Sequence, residues 1–201
     1  MRRDNSFRGR NVGTVVAVHE TPLGTVLARA NKDSMNLYAE SLCKRLGHEA
    51  SGQSGSWANG TLALADFLRR IGVADNQFHL DDGCGLSKEN VISPKAIATV
   101  LAHEFHGKNK DAYMVSLSIA GVDGTLDDRF KGSDLRGRVT GKSGFVNGVR
   151  SLSGFLKAKD GNYYAFSILM NKIPDDPTVK LIQEKIVKAV DSHASALAAG
   201  Q

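Results

Sequence analysis

The sequence lacks several features that would name its class at once. No apolar run in its 201 residues approaches the ~20 residues needed to cross a bilayer, which excludes a stable membrane span in the chain as given. The two cysteines, Cys43 and Cys84, are too few for a disulfide framework. Met1–Arg10 carries basic residues but no long apolar stretch follows, so no signal peptide is recognisable. We therefore expect either a cytoplasmic protein or a natural N-terminus upstream of Met1.

The composition is that of a globular domain with a mild basic excess. Apolar residues make up 41% and charged residues 23%, which excludes a disordered or collagen-like chain, and the formal net charge is +5. A basic cluster near the start is formed by Arg2, Arg3, Arg8 and Arg10. Because no platform of aromatic side chains accompanies it, a solvated terminus is favoured over nucleic-acid binding, which we rank last. The weak positive field also suits an anionic polymer such as a bacterial cell wall.

The hydrophobic period changes once along the chain and so divides it. We expect a frayed basic tail at 1–12, a mainly helical part at 13–120, and a sheet with a C-terminal helix at 121–201. In the helical part the pattern predicts a strand at Thr14–His19, a loop at Ser51–Gly60 and a further helix within Asp111–Ala120. Helices are predicted to start at Thr21-Pro22, at Asp33 or Ser34 and at Ser93-Pro94, and to stop at Gly47, Gly72 and Gly107.

The last third has the alternation typical of strands. Strands are predicted at Arg136–Phe145, around Leu152 and at Tyr163–Met170, with Asp160-Gly161 as a hairpin turn before the last of them. A closing helix is predicted from Pro177.

Three short segments carry polar side chains suited to chemistry. They are Ser34-Met35-Asn36, Asp81–Ser87, and Lys142-Ser143-Gly144 followed by Phe145. Taken singly, each has a plainer interpretation: a serine caps a helix, an Asp-Gly stretch makes a turn, and a lysine on a strand is solvated. Their order is more informative, because Ser-x-Asn is followed 108 residues later (142 − 34) by Lys-Ser-Gly.

In this order the segments resemble the penicillin-recognising serine acyl enzymes, which combine a Ser-x-Asn and a Lys-Thr/Ser-Gly signature. The flanks narrow the resemblance to the D-alanyl-D-alanine carboxypeptidase/endopeptidase family, the class C low-molecular-mass penicillin-binding proteins. It covers about Val16 to Asn171 and depends on four blocks: Lys32–Glu40, Asp82–Ser87, Gly121–Leu126 and Gly141–Gly144. It implies an α/β (α+β) fold of the penicillin-binding/serine β-lactamase-like transpeptidase type, in which a helical subdomain packs against an antiparallel sheet with a C-terminal helix.

The resemblance also implies roles on the strand. Lys142 would supply positive charge to the C-terminal carboxylate of D-Ala-D-Ala, and Ser143 would donate a hydrogen bond to it. Gly144 would let the substrate backbone approach, and the N–H of Phe145 would be an oxyanion donor. Phe145 stands where family members often carry threonine, so a second hydroxyl near the carboxylate is lost.

On the helix side the resemblance implies that Ser34 relays a proton to the leaving amine and that the Asn36 amide holds a peptide carbonyl. The family takes its nucleophile from a Ser-x-x-Lys pair, which nothing before Ser34 matches. The match Ser41–Lys44 follows Ser-x-Asn on the same helix, about two turns or ~10 Å away, too far for one relay. We therefore expect this chain to be the N-terminally truncated, C-terminal part of a longer enzyme, and to form no acyl-enzyme alone.

Two further groups have plain interpretations. Cys84 stands where the family usually has serine, in a loop that we expect to be structural. His103 and His106 have metal-ligand spacing on a helix, but no third ligand is evident, so a solvated face is favoured. We expect no metal and no cofactor.

The sequence thus predicts a serine-type D-Ala-D-Ala carboxypeptidase/endopeptidase of peptidoglycan metabolism whose nucleophile is missing from this chain. Its expected partners are stem peptides ending in D-Ala-D-Ala and β-lactams, with no nucleic acid. The full-length protein would be periplasmic or otherwise extracytoplasmic. The alternative is a catalytically dead penicillin-binding fold that only holds wall peptides.

Overall fold

The computed structural model describes residues 16–173 and 177–199. Its helices are α1 (Leu23–Asn31), α2 (Asn36–Ser51), α3 (Trp57–Arg70), α4 (Pro94–His106), α5 (Lys110–Ser116) and α6 (Thr178–Ala199). Its strands are β1 (Phe78–His79), β2 (Val91–Ile92), β3 (Ser118–Ile119), β4 (Val139–Val146), β5 (Val149–Lys157) and β6 (Tyr163–Asn171). The basic cluster near the start of the sequence lies outside the described residues.

The main sheet is antiparallel, with its strands in the order β3-β4-β5-β6. A two-residue turn joins β4 to β5, because Val146 pairs with Val149, and its second residue, Gly148, has a positive φ of 77°, which glycine adopts without strain. The strands predicted from alternation are confirmed as β4, β5 and β6, and the predicted hairpin turn at Asp160-Gly161 joins the last two.

Helices cover both faces of this sheet. On one face Leu152 and Leu156 are buried together with Val187 of α6. On the other face Phe155 packs with Leu101 of α4. Because side chains alternate along a strand, neighbouring residues of β4 point into different layers. Ser143, which pairs with Leu152, therefore lies on the α6 side, whereas Lys142 points to the helical side.

β6 is an edge strand within the described part of the chain, where only β5 pairs with it. Free edges favour pairing with other chains, so we expect the isolated chain to be poorly soluble.

The crossing of α2 and α3 corrects one prediction. α2 does not stop at Gly47 but continues to Ser51, and Gly52 ends it with a φ of 69°. Gly47 is buried, and a Cβ there would lie 2.6 Å from the backbone nitrogen of Gly60. Gly47 is therefore a point of close helix approach, which a stop signal resembles in sequence.

Three other local predictions were wrong in part. Residues 16–19 of the predicted first strand form no strand, and Val16 is 93% exposed, since no neighbouring strand pairs with it; residues 14 and 15 lie outside the described part. The predicted loop Ser51–Gly60 contains the start of α3, where the Ser56 hydroxyl accepts a hydrogen bond from the Asn59 N–H at 3.2 Å. The helix predicted within Asp111–Ala120 ends at Ser116, and β3 follows.

No described helix is both long enough and apolar enough to cross a bilayer.

Candidate active site

Ser34 lies in the turn between α1 and α2 and has a left-handed backbone, with φ at 54°. This conformation is uncommon for a residue other than glycine. A hydrogen bond attaches this turn to α1, because the Met35 N–H donates to the Arg29 carbonyl at 3.0 Å. α2 begins at Asn36 with Met35 as its N-cap and without a side-chain cap bond, so the expected capping by Asp33 or Ser34 was wrong. The Ser34 hydroxyl contacts Lys142 instead.

Lys142 reaches this hydroxyl from the middle of β4. Its Nζ donates to Ser34 Oγ at 2.7 Å and to the carbonyl of Ser143 at 2.6 Å. Both acceptors are uncharged, and burial lowers the pKa of Lys142. An ammonium group that is partly desolvated beside neutral acceptors retains a strong preference for an anion.

Ser143 contributes a further hydroxyl next to Lys142, from the other face of β4. The cluster of Ser34, Lys142, Ser143 and Thr125 is called the junction below. Its Oγ donates to Thr125 Oγ1 at 3.0 Å, and the N–H of Thr125 donates to the carbonyl of Lys32 at 3.0 Å. Thr125 follows Gly124, whose φ is 58° and whose missing Cβ would lie 2.3 Å from Ser118 Oγ. Only glycine allows this close approach.

An ion pair ties the two turns together. Lys32 Nζ donates to an Asp123 carboxylate oxygen, and the other oxygen accepts from the Ile119 N–H at 2.7 Å. Thus the turn before Ser34 is held by the turn that carries Thr125. The surrounding contacts over-determine the unusual backbone of Ser34, as is typical where strain persists in folded proteins.

The remaining predicted site residues lie next to this junction in the chain. Asn36 is the exposed first residue of α2. Gly144 packs closely on β5, where a Cβ would lie 2.3 Å from Ser151 Oγ. The Phe145 ring is 55% exposed, and the guanidinium of Arg150 lies 3.6 Å from its centroid. The fold thus brings Lys142 into direct contact with both Ser34 and Ser143, and Ser143 contacts Thr125 in addition. The other three predicted residues are neighbours of these in the chain: Asn36, Gly144 and Phe145.

Thr125 was not selected from the sequence as a site residue. The signal that could have found it was the block Gly121–Leu126, which was used only for the resemblance. A short-range pattern cannot show that its hydroxyl meets Ser143 across 18 residues.

The Asp82 loop is organised differently. The Asp82 carboxylate accepts hydrogen bonds from the N–H groups of Gly85 and Ser87, both at 2.6 Å, and from Asn90 Nδ2 at 2.8 Å. Burial acts to raise the pKa of Asp82, but the hydrogen bonds from the loop outweigh it and lower the pKa. This loop is structural, as expected.

Cys84 lies beside this carboxylate and beside Glu40. Burial and the hydrogen bond with Glu40 raise the pKa of the Cys84 thiol to about 11, so the thiol is neutral at pH 7. Glu40 accepts in addition from Trp57 Nε1 at 2.6 Å. The two histidines with metal-ligand spacing contact rings instead, His103 that of Phe67 and His106 that of the adjacent Phe105.

Ser41 and Lys44 have separate partners. The Ser41 hydroxyl donates to the Leu37 carbonyl of its own helix at 2.7 Å, and Lys44 Nζ lies 3.9 Å from the centroid of the Trp57 ring. This arrangement agrees with their rejection as a nucleophile and base.

The junction around Lys142 combines one positive charge with the hydroxyls of Ser34, Ser143 and Thr125. Such a set suits the binding of a carboxylate by charge-assisted hydrogen bonds, and a hydroxyl next to an amine suits proton transfer.

Comparison with known proteins places the chain in a family. The model of the D-Ala-D-Ala carboxypeptidase 3 (S13) family matches residues 8–193. A D-alanyl-D-alanine carboxypeptidase of Actinomadura sp. (strain R39) is 33% identical over 186 residues, which cover 90% of this chain and 34% of that protein. The D-alanyl-D-alanine carboxypeptidase DacB of Haemophilus influenzae is 34% identical over 164 residues, covering 79% of this chain and 34% of that protein. The chain spans about a third of the length of these relatives.

Solved structures agree on the fold. The crystal structure of penicillin-binding protein 4 (dacB) from Haemophilus influenzae matches with a TM-score of 0.76 and 28% identity, over 85% of this chain and 40% of that one. The TLA-1 β-lactamase matches with a TM-score of 0.61 at 18% identity, over 86% of this chain and 64% of that one, a likeness of fold alone. The expected penicillin-binding/serine β-lactamase-like fold is confirmed.

Proposed function

Since the chain belongs to the D-Ala-D-Ala carboxypeptidase 3 (S13) family, we propose that it forms the substrate-recognising part of a serine-type D-alanyl-D-alanine carboxypeptidase or endopeptidase of peptidoglycan metabolism. Its substrate class is a stem peptide that ends in D-Ala-D-Ala, and the protein of which it is part works outside the cytoplasm. The observation that carries this proposal is the contact between Lys142 Nζ and Ser34 Oγ at 2.7 Å, across 108 residues.

This contact supports a carboxylate site. Lys142 is partly desolvated and has only neutral acceptors in Ser34 and Ser143, so an incoming carboxylate would gain a charged partner without displacing another anion. The Ser143 hydroxyl, which now donates to Thr125, would turn to donate to the same carboxylate. A hydrogen bond to a charged group contributes about 1.5–3 kcal/mol.

The neighbouring residues supply the rest of the cleft in this proposal. Asn36 holds a peptide carbonyl from the start of α2, Gly144 lets the peptide backbone approach β4, and the N–H of Phe145 stabilises the developing oxyanion. Ser34 passes the proton that the nucleophile releases to the leaving amine, with Lys142 fixing its hydroxyl.

β-Lactams form the second ligand class, because they too present a carboxylate beside a reactive carbonyl. A structure of the Haemophilus influenzae protein, 31% identical to this chain, is complexed with a β-lactam. In the chain itself we expect this class to compete with the peptide for Lys142.

The test is the affinity of the chain for an N-acylated peptide ending in D-Ala-D-Ala, measured by isothermal titration calorimetry. Lys142→Gln should weaken binding at least about tenfold, since loss of one charge-assisted contact exceeds 1.4 kcal/mol. Lys157→Gln, which removes an exposed lysine at the end of the neighbouring strand, should leave it unchanged. Equal affinities for the free acid and for its C-terminal amide would refute the carboxylate site.

A binding module without turnover is the second candidate. The contacts of Lys142 and Ser143 support it, because they suit the holding of a carboxylate whether or not turnover follows. Release of D-alanine from the peptide by the natural gene product supports the enzyme, whereas binding of the peptide without release supports the module.

A further inference from the structure

Ser34 and Lys142 also have the composition of a catalytic pair in their own right. We infer that they form a serine–lysine nucleophilic dyad, in which Ser34 itself accepts an acyl or phosphonyl group from an activated donor. This activity goes beyond the proposed function, where Ser34 only relays a proton. It requires neither a wall peptide nor a nucleophile elsewhere in the polypeptide.

The geometry meets the requirement for a nucleophile with an adjacent base. The separation of 2.7 Å between Ser34 Oγ and Lys142 Nζ is within the hydrogen-bond reach of about 2.6–3.2 Å that proton abstraction needs. The amine is oriented by a third group, the carbonyl of Ser143 at 2.6 Å. Ser34, Lys142 and the Ser143 carbonyl thus correspond to the nucleophile, the base and the orienting group of a catalytic triad.

The hydroxyl is accessible and held in place. Ser34 is exposed, and its φ of 54° projects it from a sharp turn that Met35 fixes against α1. Ser41, seven residues later, provides the contrast within the same segment, because its hydroxyl is engaged with the carbonyl of Leu37 inside a regular helix. In α/β-hydrolases the nucleophilic serine likewise lies on a strained turn, whereas the hydroxyl of Ser41 is already engaged within its helix.

The surroundings make it easier for the Lys142 amine to lose its proton. Lys142 has no charged hydrogen-bond partner within the described residues, and its burial lowers the pKa. The charged groups of the two adjoining turns are paired with others, since Lys32 forms an ion pair with Asp123 and Asp33 forms one with Arg29. The residue opposite on β5 is the uncharged Ser153. A larger fraction of Lys142 is therefore unprotonated at a given pH than of a solvated lysine.

The reaction step balances without any further reagent. Neutral Lys142 Nζ takes the proton of Ser34 Oγ as this oxygen attacks the acyl carbon. The Oγ–carbon bond forms, the bond from that carbon to the leaving group breaks, and the leaving group departs with the electron pair. With a fluorophosphonate, phosphorus takes the place of carbon and fluoride is the leaving group, and the proton stays on Lys142.

The test is labelling of the chain by a fluorophosphonate, followed by peptide mapping in a mass spectrometer. The expected result is one adduct per chain, on the peptide that contains Ser34. Ser34→Ala should abolish it, whereas the matched control Ser41→Ala should be labelled as fast as the wild type. Lys142→Gln and Lys142→Met should each slow labelling by about a hundredfold or more, because a general base contributes at least about that much.

The pH dependence separates the dyad from mere exposure of a serine. Labelling should accelerate with rising pH around a midpoint below the ~10.4 of an ordinary lysine, and this dependence should disappear in the Lys142 variants. Variants are compared only when their far-ultraviolet circular dichroism matches the wild type. An adduct on Ser41, or labelling that is equally fast without Lys142, overturns the dyad.

The outcome is independent of peptide binding. Peptide affinity without labelling refutes the dyad and leaves the carboxylate site intact. Labelling without peptide affinity supports the dyad and refutes the carboxylate site. An adduct on Ser34 would in addition overturn the expectation that this chain forms no acyl-enzyme.

Discussion

The Asp82 loop and the junction around Lys142 were both singled out by the sequence, and the fold places them in opposite situations. The Asp82 carboxylate accepts three hydrogen bonds at 2.8 Å or less, all from residues no more than eight positions away. Lys142 meets its main partner, Ser34, across 108 residues, and neither of its acceptors is charged.

The pKa values of the two groups are both lowered, but for opposite physical reasons. Hydrogen bonds stabilise the charged form of Asp82 against the effect of burial, whereas burial destabilises the charged form of Lys142. A charge whose bonding capacity is filled by its own loop stabilises the fold. A charge that the fold leaves partly unsatisfied is available to a ligand. The two regions therefore predict opposite effects of removing the charge.

Replacement of Asp82 should have the largest effect on stability. Asp82→Ala leaves the N–H groups of Gly85 and Ser87 without their acceptor, and we expect the free energy of unfolding in urea to fall by about 2–3 kcal/mol. Asp81→Ala is the matched control, because that side chain is exposed, and it should change stability by less than about 0.5 kcal/mol. If both variants are equally stable, the loop is not held by its carboxylate and the comparison fails.

The contribution of Asp82 to the free energy of unfolding should also depend on pH, which is a smaller effect, and the lowered pKa determines its direction. The folded-state pKa of Asp82 lies below its unfolded value of about 3.9, so its contribution is fully present above that value and is lost as the pH falls through the lowered folded pKa. The difference in unfolding free energy between the wild type and Asp82→Asn should therefore be constant above about pH 5 and shrink below pH 4. A difference that grows on acidification would mean that the pKa is raised.

The two regions also differ in how far sequence could predict them. Local signals were sufficient where a residue's partners are its neighbours. Ser93-Pro94 opens α4, with the Ser93 hydroxyl accepting from the Ala96 N–H at 3.0 Å, and Asp160-Gly161 turns between β5 and β6. Both depend on a few adjacent residues, and both were predicted.

Where partners are distant in the chain, sequence was insufficient. Gly47 has the local appearance of a helix stop, and only the approach of Gly60 from α3 shows its packing role. Ser34 has the local appearance of a cap, and only Lys142 shows where its hydroxyl points. The order of the motifs identified these two residues through resemblance, but no pattern indicated that Thr125 meets Ser143.

Removal of the Lys142 charge should affect stability less than removal of Asp82, and in the opposite direction. Lys142→Met replaces a partly buried charge with neutral acceptors by an apolar side chain of similar length, so we expect no loss and a gain of up to about 1 kcal/mol at pH 7. The gain should shrink as the pH rises from the lowered folded pKa towards about 10.4, where the wild type loses its penalty. Destabilisation by more than about 1 kcal/mol would show that Lys142 holds the fold as Asp82 does.

The turn at Ser34 provides the smallest and most specific effect. Glycine adopts a φ of 54° without the strain that a side chain causes, so Ser34→Gly should raise the free energy of unfolding by about 0.5–1 kcal/mol in a urea titration while it removes the hydroxyl at the junction. Ser41→Gly makes the same chemical change inside α2 and should lower stability by about the same amount. The sign difference between these two variants is the diagnostic quantity. If Ser34→Gly also destabilises the chain, the hydrogen bond from Lys142 outweighs the backbone strain, and this side of the junction is structural like the Asp82 loop.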